Sequence, residues 1–437
     1  MNIYFSGIGG AGIGALAEIA LDAGFNVSGS DQNHSLQTAE LEKRGVQIFY
    51  KQDQETIAQA HTQALIDWLV YTSSLPETAP ELEFARLHNI KFTKRDKFLS
   101  EFITQKNLKM IAVAGTHGKT TTTAMLIWVM KKLQIPISYS VGATLSFGAS
   151  GQFDTQSKFF IYEADEYDRN FLHFSPHISL LPSLDYDHAD IYKNQGEYDD
   201  AFRKFITQSE SILLWQDSAT QLGLKEDTKT IILNEEIDHE KINLAGQFMR
   251  NNAWLVTQTL RKLWPEIIRE NPHIISDFDE KKIANILSQF PGSSRRFEEL
   301  DENIYSDYAH HPVEILATLE KARELSDRVV VVYQPHQNRR QIEVMNEGGY
   351  KNTFENATKV YWVPTYLNRM DLEKGAPAVL SPGDLIASLT NHEIGEAAEL
   401  NDDLFKKIQN HRTNGDLVLV MGAGPIDDWI RQQISRI

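Results

Sequence analysis

A short loop of glycine, lysine and threonine is the feature that most limits what this chain can fold into. It lies between an apolar run, residues 110–114, and a threonine-rich segment, and it reads Gly115-Thr116-His117-Gly118-Lys119-Thr120. Backbone N–H groups of such a loop close around phosphate oxygens, and the N-terminus of the following helix adds positive potential. The lysine reaches the β- and γ-phosphates, and the hydroxyl after it binds Mg²⁺. The loop therefore predicts an α/β domain that binds ATP.

A second glycine loop near the start of the chain leaves two functions open. It follows a predicted buried strand, Asn2–Ser6, precedes a predicted helix, and reads Gly7-Ile8-Gly9-Gly10-Ala11-Gly12. Such a loop binds a diphosphate, and Asp31 stands where an acid binds ribose hydroxyls. By itself this pattern favours an NAD-dependent dehydrogenase. Together with the ATP loop it favours an enzyme that uses ATP on a nucleotide-linked substrate, because the same amides bind the diphosphate of NAD or of a UDP-sugar.

Length and composition limit the remaining possibilities. At about 150 residues per domain, 437 residues predict about three domains. The net charge of -17 disfavours nucleic acid or an anionic membrane surface as a partner. The chain has no cysteine, which excludes disulfides, zinc-thiolate sites and a thiol nucleophile. No uncharged apolar run of about 20 residues is present, so we expect no membrane insertion and a cytoplasmic location.

Acidic residues follow two predicted strands beyond the phosphate loop. The strand Phe159–Glu163 continues into Ala164-Asp165-Glu166, and the strand Ile178–Leu184 is followed by Asp187 and His188. Ligands of open α/β sheets bind at the carboxyl ends of the strands. Carboxylate oxygens and substrate phosphates are the ligands that Mg²⁺ prefers. We therefore predict a Mg²⁺ site at this edge, with Glu163 and His188 nearest to the strand ends.

Basic residues stand near predicted strand ends in the last third of the chain. Two amphipathic helices, separated by Pro265 and Pro272, are predicted within residues 252–290. Strands are predicted beyond them at residues 304–307, 329–333, 359–363 and 417–421. Arginines and histidines near these strands can neutralise phosphate and carboxylate groups. They are Arg295, Arg296, His310, His311, His336, Arg339 and Arg340.

These motifs occur in an order that resembles the Mur ligase family, whose ATP-dependent members form amide bonds in peptidoglycan precursors. The resemblance covers nearly the whole chain and is closest to the members that add L-alanine. The motifs that carry it are Gly7 to Gly12, Ser28-Gly29-Ser30-Asp31, Gly115 to Thr123, Glu163-Ala164-Asp165-Glu166, Asp187-His188, Arg295-Arg296-Phe297, Asp307 to Pro312, Gln334-Pro335-His336 and Gly422-Ala423-Gly424.

The resemblance implies an α/β fold with three domains. A Rossmann-like domain for the UDP-sugar would occupy residues 1–98, a central ATPase domain residues 107–292, and a C-terminal Rossmann-like domain residues 293–437. ATP would phosphorylate the lactyl carboxylate of UDP-N-acetylmuramate, and the amine of L-alanine would attack the acyl phosphate. ATP and Mg²⁺ are the implied cofactors, and we expect a monomer or a weak homodimer.

The resemblance also assigns roles to individual residues. Catalytic roles fall on Lys119, Glu163, His188, Arg296 and His311, and metal binding falls on Thr120, Glu163 and His188. The residues assigned to ATP are Gly115, Thr116, His117, Gly118, Lys119, Thr120, Thr121, Asn252, Arg296 and Asp307. The residues assigned to the UDP-sugar or the amino acid are Gly9, Gly10, Ala11, Gly12, Ser30, Asp31, Ser73, His311, His336 and Arg340.

Departures from the family pattern leave alternatives open. Phe248 and Met249 stand where the family has His-Asn on the adenine side, so stacking and dispersion would hold adenine. Gln337 stands where alanine-adding members have arginine. The motifs at residues 163–168 and 187–192 resemble members that join the murein tripeptide L-alanyl-γ-D-glutamyl-meso-diaminopimelate to the same sugar. A murein tripeptide ligase is therefore the alternative, and an NAD-dependent dehydrogenase is a more distant one.

Overall fold

Two compact units make up the chain. The computed structural model describes residues 1–72, 75–187, 191–274, 277–367, 370–373 and 375–436. The first unit contains Met1–Glu236 and Asn251–Phe290, and the second contains Ile237–Arg250 and Pro291–Ile437.

The first sheet of the first unit has five parallel strands. They are β1 (Asn2–Ser6), β2 (Asn26–Ser30), β3 (Gln47–Phe49), β4 (Trp68–Tyr71) and β5 (Lys91–Lys94). The helices that alternate with them are α1 (Ala11–Asp22), α2 (Leu36–Lys43), α3 (Gln54–Gln63), α4 (Pro80–Leu87) and α5 (Arg95–Lys106). This alternation produces a parallel sheet. The strand order β3-β2-β1-β4-β5 reverses at β1, which places the first glycine loop at the switch point where such sheets bind ligands.

The second sheet, in the same unit, has seven strands. They are β6 (Lys109–Val113), β7 (Ile137–Ser140), β8 (Gly151–Gln152), β9 (Phe159–Glu163), β10 (Ile178–Leu181), β11 (Ile212–Trp215) and β12 (Thr230–Leu233). The associated helices are α6 (Lys119–Lys132), α7 (Gln195–Gln208), α8 (Gln216–Leu222), α9 (Gln247–Glu270), α10 (Glu280–Ser288) and a 3₁₀ segment, Tyr167–His173. The order is β12-β11-β10-β6-β9-β7-β8, and only the β7–β8 pair is antiparallel. Because β6 lies between β9 and β10, the phosphate loop is flanked by the ends of both acid-bearing strands.

Two predicted element boundaries are wrong, and each lies at a proline. The strand predicted to reach Leu184 ends at Leu181, because Pro182 has no N–H to donate to a neighbouring strand. The predicted helix break at Pro265 is wrong, since α9 continues through it to Glu270. Burial of Leu263, Trp264 and Ile267 around the proline offsets the lost hydrogen bond, which costs about 3 kcal/mol.

A single hydrophobic core joins the two sheets of the first unit. It includes Phe5 and Phe98 from the first sheet and its helices, and Phe160 and Phe202 from the second. The two sheets are also joined through Glu18 on α1, which accepts hydrogen bonds from the Ser150 hydroxyl at 2.8 Å and the Gly151 N–H at 2.7 Å. The glycine loop before α1 is therefore built on the same rigid body as the phosphate loop.

The second unit contains a six-stranded sheet. Its strands are β13 (Glu298–Asp301), β14 (Ile304–Asp307), β15 (Val329–Tyr333), β16 (Lys359–Trp362), β17 (Gly395–Ala397) and β18 (Leu417–Met421). Its helices are α11 (Pro312–Leu325), α12 (Asn338–Asn346), α13 (Pro382–Ile386), α14 (Asp402–Thr413), α15 (Ile426–Ile434) and the 3₁₀ segments Met370–Leu372 and His392–Ile394. The order is β13-β14-β18-β15-β16-β17, parallel except for β13 against β14.

The three sheets confirm the predicted fold class, an α/β protein with three such domains. The domain boundaries given above for residues 1–98, 107–292 and 293–437 stay a prediction. Among the helices of the described residues, none combines the length and apolarity needed to cross a bilayer.

Candidate active site

The phosphate loop joins β6 to α6 at the carboxyl end of the second sheet. Gly118 precedes the helix with φ of 82°, a left-handed conformation that glycine adopts without the strain of a Cβ. A Cβ there would also lie 3.0 Å from Asn252 Oδ1 and 3.2 Å from Pro182 Cβ. The position requires glycine on both grounds, and it brings the buried Asn252 side chain against the loop.

The segment after β10 holds the loop in place. The His117 N–H donates to Ser183 Oγ at 2.8 Å, and the Thr116 N–H donates to the Ser183 carbonyl at 3.2 Å. The Thr116 hydroxyl donates to the Asp185 carbonyl at 2.6 Å and lies 2.9 Å from the Tyr198 hydroxyl. Thr116 and His117 thus anchor the loop through these contacts, and their assignment to ATP binding stays a prediction.

Lys119 is folded back over the loop, with its ammonium among oxygens. Its Nζ donates to the carbonyls of Gly115 at 2.5 Å and Thr116 at 3.1 Å, and to Glu166 Oε1 at 2.8 Å. Burial lowers the pKa of Lys119, but the nearby carboxylates, Glu166 first, raise it by more, so the net pKa is raised. The side chain therefore carries its positive charge at neutral pH inside the loop that would receive a triphosphate.

Thr120 and Glu163 meet beside Lys119. The Thr120 hydroxyl donates to Glu163 Oε1 at 2.7 Å, and Glu163 Oε2 accepts the Gly142 N–H at 2.7 Å. Thr121 is buried in the same first turn of α6. His188, predicted to join Glu163, lies outside the described residues. Among the residues that are described, no group of three or more histidine, aspartate or glutamate side chains is arranged to hold a metal ion.

The first glycine loop turns over the end of β2. The N–H groups of Gly7 and Ile8 donate to the Ser30 carbonyl, and Gly10 directly precedes α1. Asp31 Oδ2 accepts the Gly9 N–H at 2.8 Å, and its Oδ1 accepts the N–H of Gln32 at 2.8 Å. Asp31 thus shapes the loop that begins at Gly9 and continues through Ala11 to Gly12. Its predicted contact with the uridine end stays untested.

Ser30 faces the interior. Its hydroxyl donates to Glu81 Oε1 at 2.6 Å, and the hydroxyls of Tyr4 and Ser6 donate to the same carboxylate. Burial raises the pKa of Glu81, although these hydrogen bonds lower it. Ser30 therefore contributes to the support beneath the loop. Ser73, also predicted to bind substrate, lies outside the described residues.

In the second unit, Asp307 ends β14 and is buried. Its Oδ2 accepts the Phe297 N–H and its Oδ1 accepts the Ala309 N–H, both at 2.7 Å. Burial raises the pKa of Asp307, although Arg296 opposes this. Arg296 lies over the Tyr308 ring, 5.1 Å from its centre. Asp307 thus positions the turn that carries Arg296, and both assignments to ATP stay predictions.

Histidines gather at the carboxyl ends of β14 and β15. His311 precedes α11, where its Nδ1 accepts the Val313 N–H at 3.4 Å. His336 follows β15 and stacks on Tyr366 with ring centres 5.7 Å apart. Burial, then His310, lowers the pKa of His336 to about 4, so this imidazole is neutral at pH 7. Arg340, on α12, lies 3.3 Å from Glu343. The structure thus places His311, His336 and Arg340 in one unit, at one end of its sheet.

Three family models match the sequence in the order of the three sheets. "Mur ligase family, catalytic domain" matches residues 2–107, "Mur ligase middle domain" matches residues 113–246, and "Mur ligase, glutamate ligase domain" matches residues 295–424. The chain belongs to the Mur ligase family. The resemblance inferred from the motifs is confirmed.

Relatives of this Mur ligase match along almost its whole length. A UDP-N-acetylmuramate–L-alanine ligase of Clostridium botulinum is 31% identical, over 97% of this chain and 95% of its own. Among solved structures, a UDP-N-acetylmuramate-alanine ligase from Thermotoga maritima has a TM-score of 0.75 and 22% identity, over 100% of this chain and 99% of that one. A murein peptide ligase from Psychrobacter arcticus has a TM-score of 0.63 and 24% identity, over 100% and 98%. Both structural likenesses establish the fold.

Phe248 and Met249, which stand in place of the expected His-Asn, lie at the start of α9. Phe248 is 41% exposed. Within the second unit, the following Arg250 is buried and pairs with Glu324, with Nη1 and Oε2 3.0 Å apart, and Glu324 also accepts the Gly246 N–H at 2.8 Å. The segment around the departure is therefore held by a buried ion pair, and how adenine binds there stays a prediction.

Sequence reasoning missed two charged residues of this Mur ligase, Arg95 and Asp96. They begin α5 directly after β5 and line a cavity of about 130 Å³ in the first unit, together with Gly12, Lys119 and Glu163. The stretch around them is polar and mixed, so no motif marks it. Their place at the carboxyl end of a parallel strand was the available signal, the same one that pointed to Glu163.

Proposed function

We propose that this chain is a UDP-N-acetylmuramate–L-alanine ligase. The lactyl carboxylate oxygen attacks the γ-phosphorus of ATP, the bond to the β-phosphate oxygen breaks, and ADP leaves. The nitrogen of L-alanine then attacks the carbon of the acyl phosphate, and inorganic phosphate leaves as the amide forms. A carboxylate is a poor acyl donor, and phosphorylation gives it a leaving group. Full-length similarity to the alanine ligases supports this reaction and this amine.

One observation carries the chemistry, the meeting of Lys119, Thr120 and Glu163 at the phosphate loop. A charged ammonium and helix-terminal amides offset the negative charge that concentrates when one anion attacks another. The loop glycines leave the amides accessible to phosphate oxygens. We assign Lys119 to the transferring phosphoryl group and Gly115 to Thr121 to the triphosphate.

Magnesium fits the donors at this place. Thr120 and Glu163 offer a hydroxyl and a carboxylate, which are hard oxygen ligands, and the described residues offer no cage of several carboxylates. Mg²⁺ commonly binds through one or two protein ligands, with water and substrate phosphates completing its shell. When bound it would neutralise charge on the phosphates. We propose that Thr120 and Glu163 hold it, with His188 as a further ligand.

The amine is proposed to be L-alanine because the curated relatives carry that name, at 31% identity over 97% of the chain. His311, His336 and Arg340 are proposed to receive the amino acid and the muramoyl group. Neutral His336 can accept a hydrogen bond from an ammonium without repelling it. The tripeptide alternative has the support of the motifs at residues 163–168 and 187–192 and of the fold of a murein peptide ligase, which has the lower TM-score. The dehydrogenase hypothesis has no support from the family match.

A phosphate-release assay tests the function. The protein is mixed with ATP, Mg²⁺ and UDP-N-acetylmuramate, and L-alanine, glycine, L-serine or the murein tripeptide is added in turn. L-alanine is expected to give the highest kcat/KM, and chelation of the metal is expected to abolish turnover. Lys119→Ala removes activity, whereas Lys132→Ala, on the exposed end of the same helix, does not. No phosphate with any amine would refute the ligase assignment.

We propose that the enzyme is located in the cytoplasm and binds ATP and the nucleotide sugar there. We expect a monomer or weak homodimer, which sedimentation of the purified protein would measure.

A further inference from the structure

Arg95 stands between the two glycine-rich loops of the first unit. We propose that its guanidinium binds an anionic group of the nucleotide sugar, either the diphosphate or the lactyl carboxylate. This assignment rests on the proposed function, because it takes the UDP-sugar as the ligand of the first loop. Arg95 would then be a substrate-binding residue that links the two loops.

One end of the guanidinium reaches the first glycine loop. A Cβ built on Gly12 would lie 1.9 Å from Arg95 Nη1, so the guanidinium packs directly on the backbone of this glycine. Gly12 lies in the first turn of α1, where the helix N-terminus favours an anion. A side chain at position 12 would therefore displace the Arg95 guanidinium. Glycine at this position allows both the turn and the packing of Arg95.

The other end of the guanidinium reaches the acidic motif. Arg95 Nη2 donates to Asp165 Oδ2 at 2.8 Å, two residues after Glu163. Arg95 Nε makes no hydrogen bond to another described residue and lies 3.6 Å from Asp96 Oδ1. Asp96 is 1% exposed, and neither of its oxygens has a hydrogen-bond partner in the described part of the chain. A guanidinium has five N–H donors. Nε of Arg95 is buried beside Asp96 and one Nη2 N–H is bonded to Asp165, so the donors left for a ligand are those on Nη1 and the second one on Nη2.

Arg95 and Lys119 give the space beside them two cationic side chains. The cavity of about 130 Å³ that Arg95 and Asp96 line is also bounded by Lys119, Gly142 and the carboxylates of Glu163 and Asp165. This volume is well above the roughly 10–15 Å³ that one water molecule requires, so it leaves room for one carboxylate or phosphate group. Burial raises the pKa of the Asp96 carboxyl, although Arg95 lowers it. Planar guanidinium groups bind both carboxylate and phosphate in bidentate fashion.

Binding measurements with two nucleotide sugars separate the two anions. Calorimetry of the full chain, with a non-hydrolysable ATP analogue present, compares UDP-N-acetylmuramate with UDP-N-acetylglucosamine, which has the diphosphate but no carboxylate. Arg95→Ala is expected to weaken UDP-N-acetylmuramate binding about tenfold or more, as for the loss of a charged hydrogen bond. Equal weakening of both sugars assigns the diphosphate, and weakening of the acid alone assigns the carboxylate. Unchanged affinity for both overturns the proposal.

Two further variants distinguish direct binding of the ligand by Arg95 from an indirect role in which Arg95 only positions Asp165. Asp165→Asn breaks the Asp165 ion pair but keeps the guanidinium, and it is expected to leave the affinity for UDP-N-acetylmuramate within about twofold. If Asp165→Asn weakens it as much as Arg95→Ala does, Arg95 acts only by holding Asp165 and the proposal fails. Arg86→Ala, which breaks an exposed pair with Glu77, is the matched control.

A second variant distinguishes a loss of folding from a loss of binding. If Arg95→Ala does not fold because Asp96 is left buried beside no cation, the double variant Arg95→Ala with Asp96→Asn replaces it, judged by the same criteria. Wild-type protein that binds neither sugar and releases no phosphate refutes the proposed function. Wild-type protein that is active while the Arg95 variants bind normally refutes this assignment alone.

Discussion

The ammonium of Lys119 and the carboxylate of Glu166 form a buried ion pair, with Nζ and Oε1 2.8 Å apart. Glu166 is 1% exposed at its side chain and Lys119 is 17% exposed. Because little water reaches either group, removing one partner would leave the charge of the other poorly compensated. The lysine that we assign to the γ-phosphate is thus held by a carboxylate from the acidic motif before ATP arrives.

Glu166→Gln should therefore impair both stability and turnover. Removing one partner of a buried pair costs about 3–5 kcal/mol, and we expect about 2 kcal/mol here because Glu163 and Asp165 keep some compensating charge nearby. We also expect kcat to fall about tenfold or more as Lys119 loses its position. Urea unfolding and phosphate release measure the two effects. Glu77→Gln, in an exposed pair, should change stability by less than about 0.5 kcal/mol.

Gly118→Ala should weaken ATP binding more than it weakens the fold. The backbone strain of a positive φ costs roughly 1–2 kcal/mol, and the new methyl would press on Asn252 and the loop. Gly223→Ala is the matched control, since Gly223 also has positive φ, 68°, but no atom lies within 4 Å of its Cβ position. Both variants should lose the stability that the positive φ costs, Gly118→Ala somewhat more because of its added contacts, and only Gly118→Ala should raise the KM for ATP. Equal KM values would contradict the assigned role of the loop.

His336 should make the protein less stable in acid. Its pKa is lowered to about 4 in the folded protein, against about 6.5 when unfolded. Between these values the unfolded chain binds the extra proton, so stability is fully present above about pH 6.5 and declines as the pH falls toward 4. His336→Asn removes this titration. The melting temperature of the wild type should therefore fall more steeply than that of His336→Asn as the pH is lowered from 7 toward 4, and parallel curves would show that His336 is not responsible.

Glu324→Gln should loosen the segment that carries Phe248 and Met249. Burial raises the pKa of Glu324, but Arg250 and the Gly246 N–H lower it by more, so the net pKa is lowered. The ionised Glu324 carboxylate therefore adds to the free energy of unfolding above the ordinary pKa of a glutamate. This contribution is lost as the pH falls through the lowered pKa of Glu324 in the folded protein. We expect a loss of about 1–3 kcal/mol at pH 7. Glu320→Gln, exposed on the same helix, should lose almost none in the same urea titration.

Much of the fold could be predicted because loops of special composition mark strand ends. The apolar runs before Gly7 and Gly115 predicted β1 and β6, and the alternation of strands and helices predicted parallel sheets. The helix through Pro265 could not be predicted, because tertiary burial of its neighbours outweighs the local penalty of proline. The division into two units could not be predicted from the sequence either. It depends on packing between α1 and the second sheet, and no local sequence pattern indicates that packing.

The sequence predicted that Lys119 and Glu163 lie at neighbouring strand ends, because both belong to motifs with a fixed spacing, and their roles stay predictions. Contacts between residues distant in sequence could not be predicted. The hydroxyl of Ser30, whose assignment to substrate stays a prediction, donates to Glu81, 51 residues away in sequence. Arg95 meets Asp165 across 70 residues, so neither its burial nor its partners can be deduced from its neighbours in the chain.

Isotope transfer tests the central claim, that ATP activates the sugar's carboxylate before the amine arrives. UDP-N-acetylmuramate labelled with ¹⁸O in both lactyl carboxylate oxygens is converted with ATP and L-alanine, and the released phosphate is analysed by mass spectrometry. Our account predicts one ¹⁸O atom in each phosphate, because the carboxylate oxygen that attacks the γ-phosphorus leaves with it. Unlabelled phosphate would mean that water, rather than the carboxylate, takes the phosphoryl group, and would contradict the proposed mechanism.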